Sequence, residues 1–487
     1  MQNQTKKRPS AVLSLLPIAL LVTMLVSTIH TFGSDALLGA SQVSLLTVSA
    51  FCVFIGMTYL HVPWASFEKA ITKNVASVAS ALIILLLIGA LSGAWMVSGV
   101  VPTLIYYGLQ IMHPDVFLMS TCIICALVSV MTGSSWTTIA TIGIALMGIG
   151  QALGFSDGLI AGAIISGAYF GDKISPLSDT TVLASGGVGV PLFKHIRYMV
   201  ITTVPSIVLA LIAFGIAGFL VTPEGYNDTS TFVTALNERF NITPWLLLVP
   251  VITGVMIARR VPPIITLFMA TLVAVAFGLI FQRETMLDIE PSLFKAAMRC
   301  VYDTTSLTTD NEMLTELVTT RGMAGMMGTI WLIICAMCFG GTMTASGMVG
   351  GISRLFIHMV RGRTSLVGST VSTGLMINLA IADQYLCILL SGNMFKDIYD
   401  RQGYERRLLS RTIEDSVTVT SVLVPWNTCG MTQSTVLGVS TFVYLPYCFF
   451  NLLSPIVSVV VAAIGYKIFK VESTDAIDHN PTNLEEK

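Results

Sequence analysis

The chain has 487 residues, 54% of them apolar and only 11% charged, with a mean hydropathy of +0.80. An ordinary soluble domain carries about 25% charged residues, so this composition excludes a protein clothed in water on all sides. Formal charge is −1, from 26 Lys and Arg against 27 Asp and Glu, and no basic patch is large enough to track a nucleic-acid backbone.

No Asp, Glu, Lys or Arg occurs at 9–34, 36–67, 74–114, 116–156, 198–223, 261–282, 322–353 or 416–466. A helical span needs about 20 apolar residues, so these runs predict an all-α polytopic membrane protein. Basic residues collect on the cytoplasmic side. Lys6, Lys7 and Arg8 place a cytoplasmic tail at 1–11, and the first apolar run, continuing to Phe32, exceeds a signal-peptide core. The acidic link 223–242 and the segment 283–321 are expected outside. Arg259-Arg260, Arg354 to Arg363 and the basic connector 396–411 are expected inside. With one crossing in 74–114, the charge count has the first hairpin entering from outside.

Two segments do not fit simple crossings. Residues 364–395 begin and end on the same side, yet two spans need about 40 residues, so a re-entrant hairpin with Asp383 at its tip is predicted. Residues 116–156 form a comparable hairpin around Gly133-Ser134-Ser135-Trp136. Each is followed by a broken helix: 157–185, interrupted by Gly171-Asp172-Lys173-Ile174-Ser175-Pro176, and 412–430, interrupted at Pro425-Trp426-Asn427-Thr428. An offset of 248 aligns Ser178-Asp179-Thr180 with Trp426-Asn427-Thr428. The chain therefore divides into a first repeat, 12–222, a second repeat, 243–470, and an acidic, disordered tail, 471–487. Each repeat is expected to have about four to five spans, a re-entrant hairpin and a broken helix, and the two are of opposite orientation. Inverted repeats with broken helices mark secondary transporters.

A charge at bilayer depth costs at least about 2.5–3.5 kcal/mol on insertion scales, which directs attention to Asp172, Lys173, Asp179 and Asp383. Pro176 has no N–H and clashes with the preceding turn, so carbonyls near it lose their helical partners. Those carbonyls, Asp172 and Asp179, and the hydroxyls of Ser175, Ser178 and Thr180 form an all-oxygen set suited to a hard cation. Asp383, Asn378, Asn427 and Thr428 supply a second set, and Ser134 and Ser135 are possible hairpin-tip contacts. A Na⁺ site at Asp172, Asp179, Asp383 and Asn427 is expected, with no cofactor. The alternative for Asp172 and Lys173 is a structural ion pair supporting the kink; Glu414 and Asp415 are expected at the interface and His195 in solvent. The Cys122/Cys125 and Cys335/Cys338 pairs are expected to pack as small hydrophobes. Gly158, Gly162, Ser166, Gly167 and Gly171 are expected to let helices approach closely.

The stretch from Gly171 through Pro176 to Thr181, with Thr132 to Trp136 and Pro425 to Gly430, resembles the NhaC family of sodium/proton antiporters over about residues 12–470. The resemblance implies a Na⁺/H⁺ exchanger of a bacterial inner membrane, embedded in lipid and commonly homodimeric. It also implies a mobile, hairpin-bearing domain working by alternating access, in elevator fashion, against a fixed scaffold. In the broader superfamily, Ser-Asn-Thr motifs help form sodium sites. Here Asp179 stands for the first Asn and Trp426 for the second Ser, so residue 426 cannot ligate through its side chain. Relatives in that superfamily place the first hairpin on the cytoplasmic side, against the charge count. Some NhaC-like proteins resemble exchangers of malate for lactate, which leaves a Na⁺- or H⁺-coupled organic-anion exchanger as the alternative. No HExxH, GxSxG or clustered His supports an enzyme.

Overall fold

The computed structural model describes residues 9–32, 39–220, 229–305, 307, 309, 314–315 and 318–470. Lys6-Lys7-Arg8, the first residues of the 223–242 link and the tail 471–487 lie outside the described residues. Within them the architecture is helical, with β pairing confined to isolated bridges such as Thr305 with Thr320. Among the described residues, eight helices are long and apolar enough to cross a membrane, or up to ten if each of two bent pairs counts as one span. Large apolar side chains such as Phe193, Phe219, Leu220 and Ile280 point outward, where hydrocarbon rather than water would solvate them. This is an all-α polytopic membrane protein.

The helical elements recur. Pro114–Thr132 is matched by Arg363–Ile381, beginning 249 residues later. The helices starting at Ser135, Asp157 and Asp179 are matched, at the same spacing, by those starting at Gln384, Arg406 and Thr428. The turns match too. Pro114–Thr132 ends at Gly133 with φ 68° and Arg363–Ile381 at Ala382 with φ 65°. Ala382 adopts this left-handed conformation despite its Cβ, which costs about 1–2 kcal/mol. The next residue then caps the returning arm: Ser134 accepts from the Thr137 amide and Asp383 from the Leu386 amide. The spacing corrects the expected alignment by one residue. Ser178 corresponds to Asn427, not Trp426, since each stands just before the helix that restarts after its proline.

Both hairpin arms run further than their apolar stretches. The second hairpin comprises Arg363–Ile381 and Gln384–Arg401, of 19 and 18 residues, or roughly 28 Å per arm at 1.5 Å per residue. Its second arm continues through Lys396 to Arg401, where charge suggested a loop. Residues 74–114 contain one helix long enough to cross, Ala79–Val97. A left-handed Gly99 separates it from the shorter Val100–Ile111.

The broken helix Asp157–Ile174 lies against Pro114–Thr132 so closely that backbones touch. A Cβ on Gly167 would come within 2.1 Å of the Cys122 carbonyl oxygen, and one on Gly171 within 2.5 Å of the Ala126 oxygen. Ser129 seals the contact by donating to the Ala168 carbonyl at 2.6 Å. Gly158 and Gly162 meet Val443 and Tyr447 on a different side. Backbone has no room to yield, so Gly167→Ala should lower thermal stability of the detergent-purified protein by about 1–3 kcal/mol, the usual overpacking cost. Gly186→Ala, with nothing within 4 Å of its added methyl, is expected to leave the unfolding midpoint unchanged or slightly raised.

Candidate functional site

Pro176 ends Asp157–Ile174, and Ser175 before it is extended, at φ −71° and ψ 131°, as a residue preceding proline prefers. The break turns Asp172 and the start of Asp179–Gly187 toward the tip of the first hairpin. Asp172 is buried, and its carboxylate receives three donors. One oxygen accepts from the Ser135 amide at 3.2 Å and the Ser135 hydroxyl at 2.7 Å, and the other accepts from the Ser178 hydroxyl at 2.5 Å. Thr180 completes the group through a 2.9 Å contact with the Ser178 hydroxyl. Thr181, absent from the expected set, donates to the freed Lys173 carbonyl at 3.1 Å.

Other expected members lie elsewhere. The Ser175 hydroxyl donates to the Val130 carbonyl at 2.8 Å, tying the break to the hairpin arm. Ser134 is occupied in capping its own helix. Asp179 is exposed rather than buried; at the first position of Asp179–Gly187 its charge complements the helix N-terminus.

The second break builds a related group. Asn378, Asp383, Asn427 and Thr428 are all buried. Asn378 donates to the Val417 carbonyl at 2.8 Å, and Asn427 accepts from the Cys429 amide at 3.1 Å. The Thr428 amide donates to the Ala382 carbonyl at 2.8 Å, so hairpin tip and helix break are stitched together. Gln384 reaches the Ser421 hydroxyl at 3.1 Å. At the 249-residue spacing, that contact is the counterpart of Ser135 to Asp172. Trp426 donates from its indole to the Leu379 carbonyl at 2.8 Å, a structural tie.

Beside the break, two expectations are overturned and the alternative ion pair is not formed. Lys173 does not pair with Asp172. Its ammonium bonds the Asp415 carboxylate, 242 residues away, and the Ser454 hydroxyl at 2.9 Å. Asp415 also accepts from Thr202 at 2.9 Å, and the Arg411 guanidinium approaches it to 3.7 Å while lying over the Tyr198 ring at 4.6 Å. Glu414 and Asp415, expected at the interface, are fully buried, as are Lys173 and Arg411. His195, expected in solvent, is fully buried and meets the Ser410 hydroxyl at 2.8 Å. The basic loop before Glu414 disguised these residues. The available signal was helical spacing, which places Arg411 and Asp415 on one face, together with Lys173 requiring an acidic partner.

Comparison with known proteins bears on this arrangement. A model of the Na⁺/H⁺ antiporter family matches residues 1–190 and 167–466. The Na⁺/H⁺ antiporter NhaC of Bacillus subtilis is 34% identical over 86% of this chain and 90% of its own length. The malate-2H⁺/Na⁺-lactate antiporter of the same organism is 37% identical over 82% and 85%. The arginine/ornithine antiporter ArcD of Halobacterium salinarum is 33% identical over 95% and 94%.

Removing one partner of a buried ion pair strands the other charge, at about 3–5 kcal/mol, whereas replacing both with apolar groups is often neutral. Lys173→Met should therefore destabilise the purified protein by about that amount in thermal unfolding. Adding Asp415→Leu together with Arg411→Met, so that Arg411 is not left without its nearest acid, should restore most of the loss; a triple variant no more stable than the single one would show that the pair is not the seam described.

Proposed function

The chain belongs to the Na⁺/H⁺ antiporter family, and from that premise we propose that it exchanges Na⁺ for H⁺ by alternating access, with Asp172 as the exchanging carboxylate. The observation that carries this reading is the bracket of hydroxyls on Asp172. Ser135 and Ser178 donate to the carboxylate, and Thr180 stands behind them. A hydroxyl is both donor and acceptor. With Na⁺ present, the same oxygens turn their lone pairs toward the ion and join the carboxylate as ligands; with a proton on Asp172, they return to hydrogen bonding. Burial favours a neutral carboxyl and a bound cation favours an ionised one, so the two ions exclude each other.

In this reading Asn378, Asp383, Asn427 and Thr428 form the second lobe of the cation site. Asp179, at its exposed position, draws cations toward it. The repeats 12–222 and 243–470 are inverted, and their hairpins and broken helices form one body that carries the site past the remaining helices in an elevator-type motion. The matched turns at Gly133-Ser134 and Ala382-Asp383 support that division. A homodimer embedded in lipid provides the fixed frame.

A second reading is favoured by a specific observation. Arg411 is a buried cation with no hydrogen-bond acceptor on any of its nitrogens, a group suited to the carboxylate of an organic anion, and two of the relatives are named for organic substrates. Counterflow of labelled malate, lactate or arginine separates the readings.

In proteoliposomes acidified inside, wild-type protein should accumulate ²²Na⁺, and Asp172→Asn should abolish the accumulation while the protein still inserts. Ser178→Ala should raise the KM for Na⁺ about tenfold, the loss of roughly 1.4 kcal/mol of ligation. Since protons and Na⁺ compete, the apparent KM for Na⁺ should rise on the acid limb by about tenfold per pH unit. Asp172→Asn with wild-type flux, or organic counterflow without Na⁺ accumulation, would overturn the proposal.

A further inference from the structure

Glu414 has no role in the cation site just described, yet among the described acids it stands out. It is fully buried, and neither carboxylate oxygen makes a well-formed hydrogen bond, the Thr418 hydroxyl one turn on being its polar neighbour. One turn before it, Arg411 is also fully buried, with no acceptor on Nε, Nη1 or Nη2. The two do not pair with each other: the acid nearest Arg411 is Asp415, at 3.7 Å. Both stand where Arg406–Ile413 widens into the π-helical turn Glu414–Thr418, a geometry common at functional sites. Their counterparts 249 residues earlier are Gly162 and Ile165, so the charges belong to one half of the chain only.

The charges facing Glu414 come from several elements. Asp157–Ile174 contributes Asp172 and Lys173, and Asp415 is its chain neighbour; all three act on it electrostatically. Leu192–Leu220 contributes His195, which acts on Lys173 and Asp415. Gln384–Arg401 contributes Tyr399, beside Arg411. Phe449–Ile464 has no titratable group, Arg363–Ile381 has only Arg363, bonded to the Ala463 carbonyl, and Asp179–Gly187 has only the exposed Asp179. Lys173 and Arg411 thus bring two positive charges against three negative ones on Asp172, Asp415 and Glu414. Fully ionised, this enclosed set is one charge short of neutral, and a single monovalent cation closes the gap.

We propose that Glu414 is a proton-binding residue separate from the cation site, coupled to Asp172 through the Lys173–Asp415 pair. The proposal rests on the Na⁺/H⁺ reading and deepens it. Asp415 takes hydrogen bonds from Lys173 and Thr202 on one oxygen and has Arg411 at 3.7 Å from the other, whereas Glu414 has a well-formed hydrogen bond on neither oxygen and no cation within ion-pair distance. In the Na⁺-free set one proton is held between Asp172 and Glu414; Na⁺ arriving at Asp172 excludes it there and makes it surplus, so that it leaves for water from Glu414, and on the return a proton taken up at Glu414 restores neutrality once Na⁺ has gone. Intramembrane carboxyls are the usual members of proton relays, and the coupling is reciprocal by linkage.

The test compares wild type, Glu414→Gln and Asp172→Asn in proteoliposomes, measuring ²²Na⁺/Na⁺ self-exchange at equal pH, ²²Na⁺ accumulation driven by a pH gradient, and Na⁺-induced proton release from purified protein in weak buffer. Glu414→Gln should keep self-exchange within about twofold of wild type, lose gradient-driven accumulation at least about tenfold, and release fewer protons. Asp172→Asn should lose self-exchange as well. Should Glu414→Gln fail to fold, the charge-neutral pair Arg411→Met with Glu414→Met makes the same comparison. Wild-type accumulation in the Glu414 variant, or loss of self-exchange equal to that of Asp172→Asn, overturns the assignment. A wild-type protein without gradient-driven Na⁺ uptake overturns the exchange reading itself, and the assignment with it.

Discussion

Charge taken out of water must be answered by charge or hydrogen bonds on the spot, and this constraint organises the middle of the molecule. The cost of desolvating an ion is several kcal/mol even after relaxation, and Asp172, Lys173, Arg411, Glu414 and Asp415 are all buried. Lys173 meets it by joining Asp157–Ile174 to the turn at Asp415, so the broken helices of the two halves are locked together at the depth of the first break. Asp172, one residue earlier on the same helix, points to the other side and is answered by hydroxyls. A kink of this depth then has two faces, one closed by an ion pair and one lined by oxygens. The glycines at 167 and 171 make that placement possible by bringing the helix backbone onto Pro114–Thr132.

Much of this was legible in the amino-acid order. A 41-residue run without charge leaves few alternatives to membrane-spanning helix, and Pro176 and Pro425 mark helix breaks wherever they stand in such a run. Asp172 and Asp383 could be singled out because an acid flanked by apolar residues on both sides has no surface to reach. Direction was the harder matter. Asp179 lies three residues past Pro176, where the chain has left the helix axis, so periodicity no longer predicts which way it faces; it faces out. Glu414 and Asp415 follow Arg406, Arg407 and Arg411, and the last charges before an apolar run ordinarily mark a membrane boundary. The helix instead continues inward with its charges. Long-range partners such as Lys173 with Asp415, or His195 with Ser410, leave no trace in local spacing at all.

The two halves share a backbone plan but distribute charge differently over it, and the difference bears on which carboxylate does the work. Asp383 occupies the position of Ser134, at a hairpin tip, and its carboxylate accepts from the Leu386 amide at 2.9 Å. An amide donates and cannot reverse, so that interaction suits an acid capping a helix. Asp172 corresponds to Ser421 and stands at a helix break, where two of its three donors are hydroxyls. Those can reverse, offering hydrogens to a bare carboxylate and lone pairs to a cation beside it. A carboxylate that must alternate between ions needs partners indifferent to the direction of the hydrogen bond. Of the two buried acids at the breaks and hairpin tips, Asp172 has mostly such partners and Asp383 is held by an amide, which is the physical reason for proposing the exchange at the first break and the anchoring at the second.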